Sequence, residues 1–231
     1  LGYNNTRKTM NNLKILLIAL SGFLLMMSCG SKNGKTGKLN DGEGNTYSTV
    51  TIGTQEWMTE NLRATKYNDG SAILNVTADS AWAVTKEGAY AWFINDASGD
   101  KASYGAYYNW HAIASGKLCP AGWHVPADKE WRTLTTYLGG ESLAGNEMKS
   151  GSGWKSNGNG SNSSGFNAIP YGYRTTKGIF SSQGASSYFW SSTENGLNAW
   201  YIVLFSKDGT AFKYFGSQQS GFSVRCIRDA K

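Results

Sequence analysis

Few side chains in this 231-residue sequence have the type and spacing for chemistry. His111 and His124 are its two histidines, and each follows a tryptophan inside an aromatic, glycine-bounded stretch. Imidazole is the usual general base or metal ligand near neutral pH, but in this setting both read as structural hydrogen-bonding residues. Ser191, Ser192 and Ser223 would need an adjacent base to become nucleophiles, and the sequence pairs none of them with a histidine. Glu194 and Asp208 are two carboxylates, yet a glycosidase pair must flank the scissile bond at a set separation. His124 with Glu130 or Asp128 is the cluster that an enzymatic reading would need in a cleft. Calcium requires several converging oxygens, whereas the loop from Asn157 to Asn162 offers amides and hydroxyls without a carboxylate. These residues predict no catalytic site, no cofactor and no metal site, with structural calcium held by other residues as the alternative.

Cysteine carries more information. Lys14 precedes an apolar run, Ile15 to Met27, that ends in Met26-Met27-Ser28-Cys29-Gly30. The run has 13 residues, and a membrane-crossing helix needs about 20, so it reads as a secretory signal. Met10 is the expected start and residues 1–28 the signal peptide. Ser28 before Cys29, with Met26 three positions ahead, resembles a bacterial lipoprotein box and predicts lipidation of Cys29. Ordinary secretion is the competing reading. Residues 29–45 contain one large apolar side chain, Leu39, and predict a flexible tether. The partner so implied is a membrane, reached through the lipid anchor. The expected location is the cell envelope, as an outer-membrane lipoprotein facing periplasm or cell surface.

Past Cys29 only Cys119 and Cys226 remain. Two cysteines in an exported domain predict one disulfide, with two buried free thiols as the alternative. Formal charge is +6, and Arg7, Lys8 and Lys14 precede Cys29, which leaves a scattered +3 beyond it. Such a weak bias predicts no nucleic-acid partner.

The elements that must position any site follow from pattern. Thr46 to Ile52 alternates like a strand, and Gln55-Glu56-Trp57-Met58 reads as a second. Trp131, Leu134 and Leu138 at i, i+3 and i+7 predict a helix that Gly139-Gly140 ends. Glu141 to Lys149 predicts a second helix with Leu143, Ala144 and Met148 facing inward. Strands are expected at Gly172–Arg174, Ser187–Thr193, Ala199–Phe205, Ala211–Phe215 and Gly221–Ile227, with a hairpin turn at Lys207-Asp208-Gly209-Thr210. The class is α+β.

Four segments, Gly122-Trp123-His124-Val125-Pro126, Asp128-Lys129-Glu130-Trp131, Phe189-Trp190-Ser191-Ser192-Thr193-Glu194 and Gly221-Phe222-Ser223-Val224-Arg225-Cys226, resemble the Fibrobacter succinogenes major paralogous domain over residues 46–229. The resemblance implies a C-type-lectin-like fold, related to formylglycine-generating enzymes and to retroelement-diversified binding proteins. In such a fold two helices pack on a twisted, mostly antiparallel sheet and the chain ends meet. It also implies exported and lipid-anchored proteins of Bacteroidetes, and it brings no established reaction.

The aromatic hairpin is the expected ligand surface. Side chains alternate across a strand, and both parities of the first strand are apolar. Trp200, Ile202 and Leu204 read as core. Tyr201, Val203 and Phe205, with Lys213 and Phe215, read as the outward set, and Asn198 and Gln218 as directional hydrogen-bonding groups. Rigid aromatic rings give contact area at low entropy cost. The sequence therefore predicts noncatalytic binding of a glycan or a surface protein. A structural or assembly module and a retroelement-diversified binding protein are the alternatives.

Overall fold

The structure, a computed structural model, describes residues 34–96 and 104–230. The expected signal peptide, the start at Met10 and the lipidation site Cys29 lie outside the described residues. Four antiparallel strands, β1 (Thr36–Asn40), β2 (Thr46–Ile52), β3 (Gln55–Met58) and β12 (Ile227–Asp229), form one sheet in the order β1-β2-β3-β12. This sheet joins the beginning of the domain to its end. A small sheet holds β4 (Leu74–Asn75), β5 (Ala89–Trp92) and β6 (Ala106–Tyr108), with α1 (Asp79–Val84) and α2 (Trp110–Ala114) beside it in sequence. Then come α3 (Asp128–Tyr137) and α4 (Glu141–Met148), a two-stranded piece of β7 (Tyr173–Arg174) and β8 (Phe180–Ser181), and the antiparallel sheet of β9 (Ser186–Asn195), β10 (Asn198–Phe205) and β11 (Ala211–Ser217). The fold is α+β with several antiparallel sheets.

The expected tether across 29–45 is corrected at its far end. Residues 36–40 are the edge strand β1, paired with β2 from Thr36↔Val50 to Asn40↔Thr46. Counting apolar side chains missed this strand because backbone pairing and one aspartate organise it. Asp41 Oδ1 accepts the Glu43 and Asn45 N–H groups at 2.9 Å each, and Asp41 Oδ2 accepts from the Tyr47 hydroxyl. An Asx turn of this kind sets the hairpin, and Leu39 of β1 is buried opposite Tyr47 in the core.

The helices α3 and α4 cover one face of the C-terminal sheet. Trp131, Leu134 and Leu138 are buried, as their spacing predicts, and pack with Phe189, Ile202, Leu204 and Trp57 in one cluster. Side chains of this size contribute roughly 1.5–3 kcal/mol each when taken out of water. The start of α3 is secured by Glu130, whose Oε2 accepts the Ala127 N–H at 2.7 Å, and by Thr193 Oγ1, which accepts the Asp128 N–H at 2.9 Å. Leu143, expected inside, is 58 % exposed; Ala144, Gly145 and Met148 carry the inward face of α4 instead.

Gly145 lets α4 touch the β10–β11 turn. A Cβ placed there would lie 2.6 Å from Gly209 O and from the Thr210 backbone. Glycine to alanine inside a helix normally stabilises by about 1 kcal/mol. At this position the Gly145→Ala variant is expected to unfold at a lower temperature than the parent, because backbone must move to admit one methyl group. An unchanged or raised midpoint in thermal unfolding would show that the helix can shift freely.

A second cluster joins Tyr47, Met58, Leu62, Tyr108, Trp110, Trp123, Trp190 and Phe222. Beside it Cys119 and Cys226 form the expected disulfide, with sulfurs 2.05 Å apart. The expected strand at Gly221–Ile227 is instead a wholly buried segment with single bridges to Tyr108, Arg174 and Phe189, and regular pairing begins only at Ile227. Among the described residues, Arg174 and Arg225 are fully buried. Arg174 donates to the carbonyls of Gly178, Val76 and Thr77 and pairs with Asp79 at 3.1 Å. Arg225 donates to four neutral oxygens, Asn61 Oδ1 and the carbonyls of Met58, Phe166 and Asn167.

Candidate functional site

The face of the C-terminal sheet turned away from α3 and α4 is a continuous aromatic surface. In the β10–β11 register Tyr201 faces Tyr214 and Val203 faces Phe212, while across β9 Val203 faces Tyr188 and Phe205 faces Ser186. Side chains of directly opposed residues share a face, so these rings become neighbours. Ring centroids are 5.8 Å apart for Tyr188–Tyr201, 6.3 Å for Tyr201–Tyr214 and 6.0 Å for Tyr214–Phe212. Phe212–Phe205 at 5.7 Å and Phe205–Tyr188 at 6.5 Å close the circuit. Five rings thus surround Val203, and Tyr173 extends the patch from Tyr188 at 4.5 Å. Gly216 leaves room beside Tyr201, because a Cβ there would lie 3.2 Å from its ring.

One end of this face is covered and the other is open. Phe222 packs on Tyr188, Tyr201 and Trp190 with centroids 5.0, 4.8 and 4.2 Å away. Away from it Tyr214 is 47 % exposed, and Tyr188, Tyr201, Phe205 and Phe212 are half-buried. Burial pushes the Tyr188 phenol up to about 12, and burial together with Tyr173 and Tyr214 raises Tyr201. Both phenols are therefore neutral hydrogen-bonding groups at physiological pH.

The seven residues expected to contact ligand fall in three places. Tyr201 and Phe205 lie on the aromatic face. Val203 points to that face but is fully buried, because the larger rings around it close over its short side chain. Lys213 and Phe215 sit on the opposite face, beside Ile202 and Trp200. There Lys213 Nζ is 2.8 Å from Asp128 Oδ1 and 4.2 Å from the Trp200 ring centroid, which ties β11 to α3. Trp200, expected in the core, is only half-buried in this cluster and meets the 54 % exposed Phe215 edge-on at 5.3 Å. Asn198 and Gln218 are at the far end of the hairpin. The Gln218 amide donates to Glu194 Oε1, Gly196 O and Asn198 O, so it braces the β9–β10 turn.

Tyr188, Phe212, Tyr214 and Tyr173 are the members that sequence reasoning missed. The signal that finds them is pairing parity: Leu204 opposes Ala211, so an odd-numbered residue of β10 shares its face with an even-numbered residue of β11.

Other chemistry-bearing groups are committed elsewhere. His124 Nε2 lies 2.7 Å from Glu130 Oε1, but the other oxygen of Glu130 caps α3. Ser191 and Ser223 are buried, and their hydroxyls accept from Thr193 N–H and Asn61 Nδ2. Asn159 and Asn162 use their side-chain oxygens on the Trp154 and Asn167 N–H groups. Among the described residues, no group of three or more His, Cys, Asp and Glu side chains could hold a metal ion.

Fold and site together define an α+β domain whose most developed surface is an aromatic sheet face. The family model described as the Fibrobacter succinogenes major domain matches residues 50–228, and the chain belongs to that family. Comparison with curated proteins and with solved structures returns no match.

Proposed function

We propose that this chain is a noncatalytic binding module of the bacterial cell envelope, with a C-type-lectin-like fold and a lipid anchor at Cys29. Its ligand, a glycan or a surface protein, rests on the aromatic face. The observation that carries this reading is the closed circuit of Tyr188, Tyr201, Tyr214, Phe212 and Phe205, open to solvent at its Tyr214 side. Tyrosine-rich surfaces recognise partners through a few rings that dominate the binding energy.

Tyr214 is the right probe, because Tyr201 also packs on Phe222 and its removal would disturb the fold. A screen of the full chain against glycans and envelope proteins should return a partner whose affinity Tyr214→Ala lowers about 30-fold, the loss of a single hot-spot ring. The thermal midpoint should stay near the parent value. A partner that binds the Tyr214→Ala variant as tightly as the parent would place recognition elsewhere. A second reading, an assembly module, is favoured by β11 being the outer strand of its sheet with Tyr214 and Phe215 exposed. Self-association in light scattering that the same variant abolishes would support it.

A further inference from the structure

The solvent side of α3 forms a second, chemically different surface. Trp131, Leu134, Thr135 and Leu138 face the core, which leaves Lys129, Arg132, Thr133, Thr136 and Tyr137 on the opposite stripe at i, i+3, i+4, i+7 and i+8. That stripe and the β2–β3 turn at Ile52, Gly53 and Thr54 line a depression of 770 Å³.

Its lining is cationic, hydroxylated and aromatic, with no carboxylate among the lining residues. Arg132 makes one long contact, 3.5 Å to Asp128, and its side chain stays 69 % exposed. Asp128 has its shorter bond, 2.8 Å, with Lys213, so the positive charge of Arg132 and Lys129 is not cancelled within the groove. Tyr137 rests against the turn, since a Cβ on Gly53 would lie 3.0 Å from its ring, and the side chain is still 50 % exposed. Gly53 has φ +61°, so glycine is suited to this position for both its backbone conformation and the space it leaves. From Lys129 to Tyr137 the helix rises about 12 Å, which gives the groove the length of an extended chain rather than of a single small anion.

We propose that this groove binds an acidic polysaccharide. Lys129 and Arg132 take its carboxylate or sulfate groups, the guanidinium by paired hydrogen bonds. Thr54, Thr133 and Thr136 meet its hydroxyls, and Tyr137 packs on the apolar side of a sugar ring. The site shares no residue with the aromatic sheet face, so failure at one leaves the other standing.

The test is affinity electrophoresis and calorimetry of the full chain with polygalacturonate, which carries carboxylates, heparin, which carries sulfates, and neutral dextran. At least one acidic polymer should bind while dextran does not, and added salt should weaken the binding by screening exposed charges. The Lys129→Ala/Arg132→Ala double variant should lose about tenfold or more in affinity with an unchanged thermal midpoint. A control pair removing the same charge elsewhere, Lys66→Ala/Lys177→Ala, should bind as the parent does. Tyr137→Ala should weaken binding and Tyr137→Phe should restore it. Failure of both acidic polymers to bind, equal binding of dextran, or equal losses in the two double variants would overturn the proposal.

Discussion

The Arg225→Met variant is expected to lose about 4 kcal/mol or more of folding stability, since three buried acceptors and a partly buried one would each forfeit a charged donor at roughly 1–3 kcal/mol. The guanidinium is fully buried. Its Nε donates to Asn61 Oδ1 at 2.8 Å, Nη1 to Met58 O at 3.0 Å and Phe166 O at 2.7 Å, and Nη2 to Asn167 O at 3.0 Å. Burial lowers its pKa to about 9, against the pull of Glu60, and it therefore remains a cation at pH 7. Methionine replaces the stem and fills much of the space, so the loss isolates hydrogen bonding rather than a cavity. A buried ion can be exchanged for apolar residues without penalty when its partners are exchanged too. Here the partners include three backbone carbonyls, which no single substitution removes. Arg225→Lys should fall between parent and Met variant, because an ammonium lacks the planar fork that reaches oxygens on three sides. Urea unfolding with an unchanged slope reads the difference as stability. A Met variant within about 1 kcal/mol of the parent would mean that water or relaxed backbone satisfies those oxygens.

That network also marks where the sequence was legible and where it was not. The α3 helix could be read from Trp131, Leu134 and Leu138, because a helical stripe needs only local spacing. The β9, β10 and β11 strands could be read from aromatic and β-branched runs flanking a turn, within two residues of their observed ends. The face each side chain occupies could not, since it depends on hairpin register. Pairing of Leu204 with Ala211 moves Lys213 and Phe215 to the helix side and brings Phe212 and Tyr214 to Tyr201. A shift of one residue in that register would reverse the assignment.

Burial within a face was equally hidden. Val203 has the parity of Tyr201 and Phe205, and it is covered only because its opposite neighbours, Tyr188 and Phe212, are large. The groove over α3 was half visible. Lys129, Arg132 and Tyr137 could be placed on the solvent stripe from helical spacing alone. The turn at Gly53 that makes the stripe one wall of a groove is more than 75 residues away in sequence, and only the tertiary fold brings it there. Arg225 stood inside a recognised motif, yet nothing local distinguishes a surface arginine from one whose acceptors are 58 to 167 positions away.

The same C-terminal segment carries the second large effect. Replacing both Cys119 and Cys226 by alanine is expected to cost about 3–4 kcal/mol, because the bond closes a loop of 107 positions whose freedom in the unfolded chain it restricts. Cys119 and Cys226 are 2 % and 0 % exposed, so the folded protein should resist a thiol reductant that reduces the bond readily once urea opens the domain. Cys226 adjoins Arg225, and both hold the segment Gly221–Ile227 against Met58. Their contributions should therefore not be independent. Once the crosslink is gone, the cost of Arg225→Lys should differ from its cost in the bridged protein by more than about 0.5 kcal/mol. Strictly additive losses in urea unfolding would show that the two hold different parts of the domain. A cysteine-free protein as stable as the parent would show that buried contacts alone, and not the covalent loop, fix the chain end against β3.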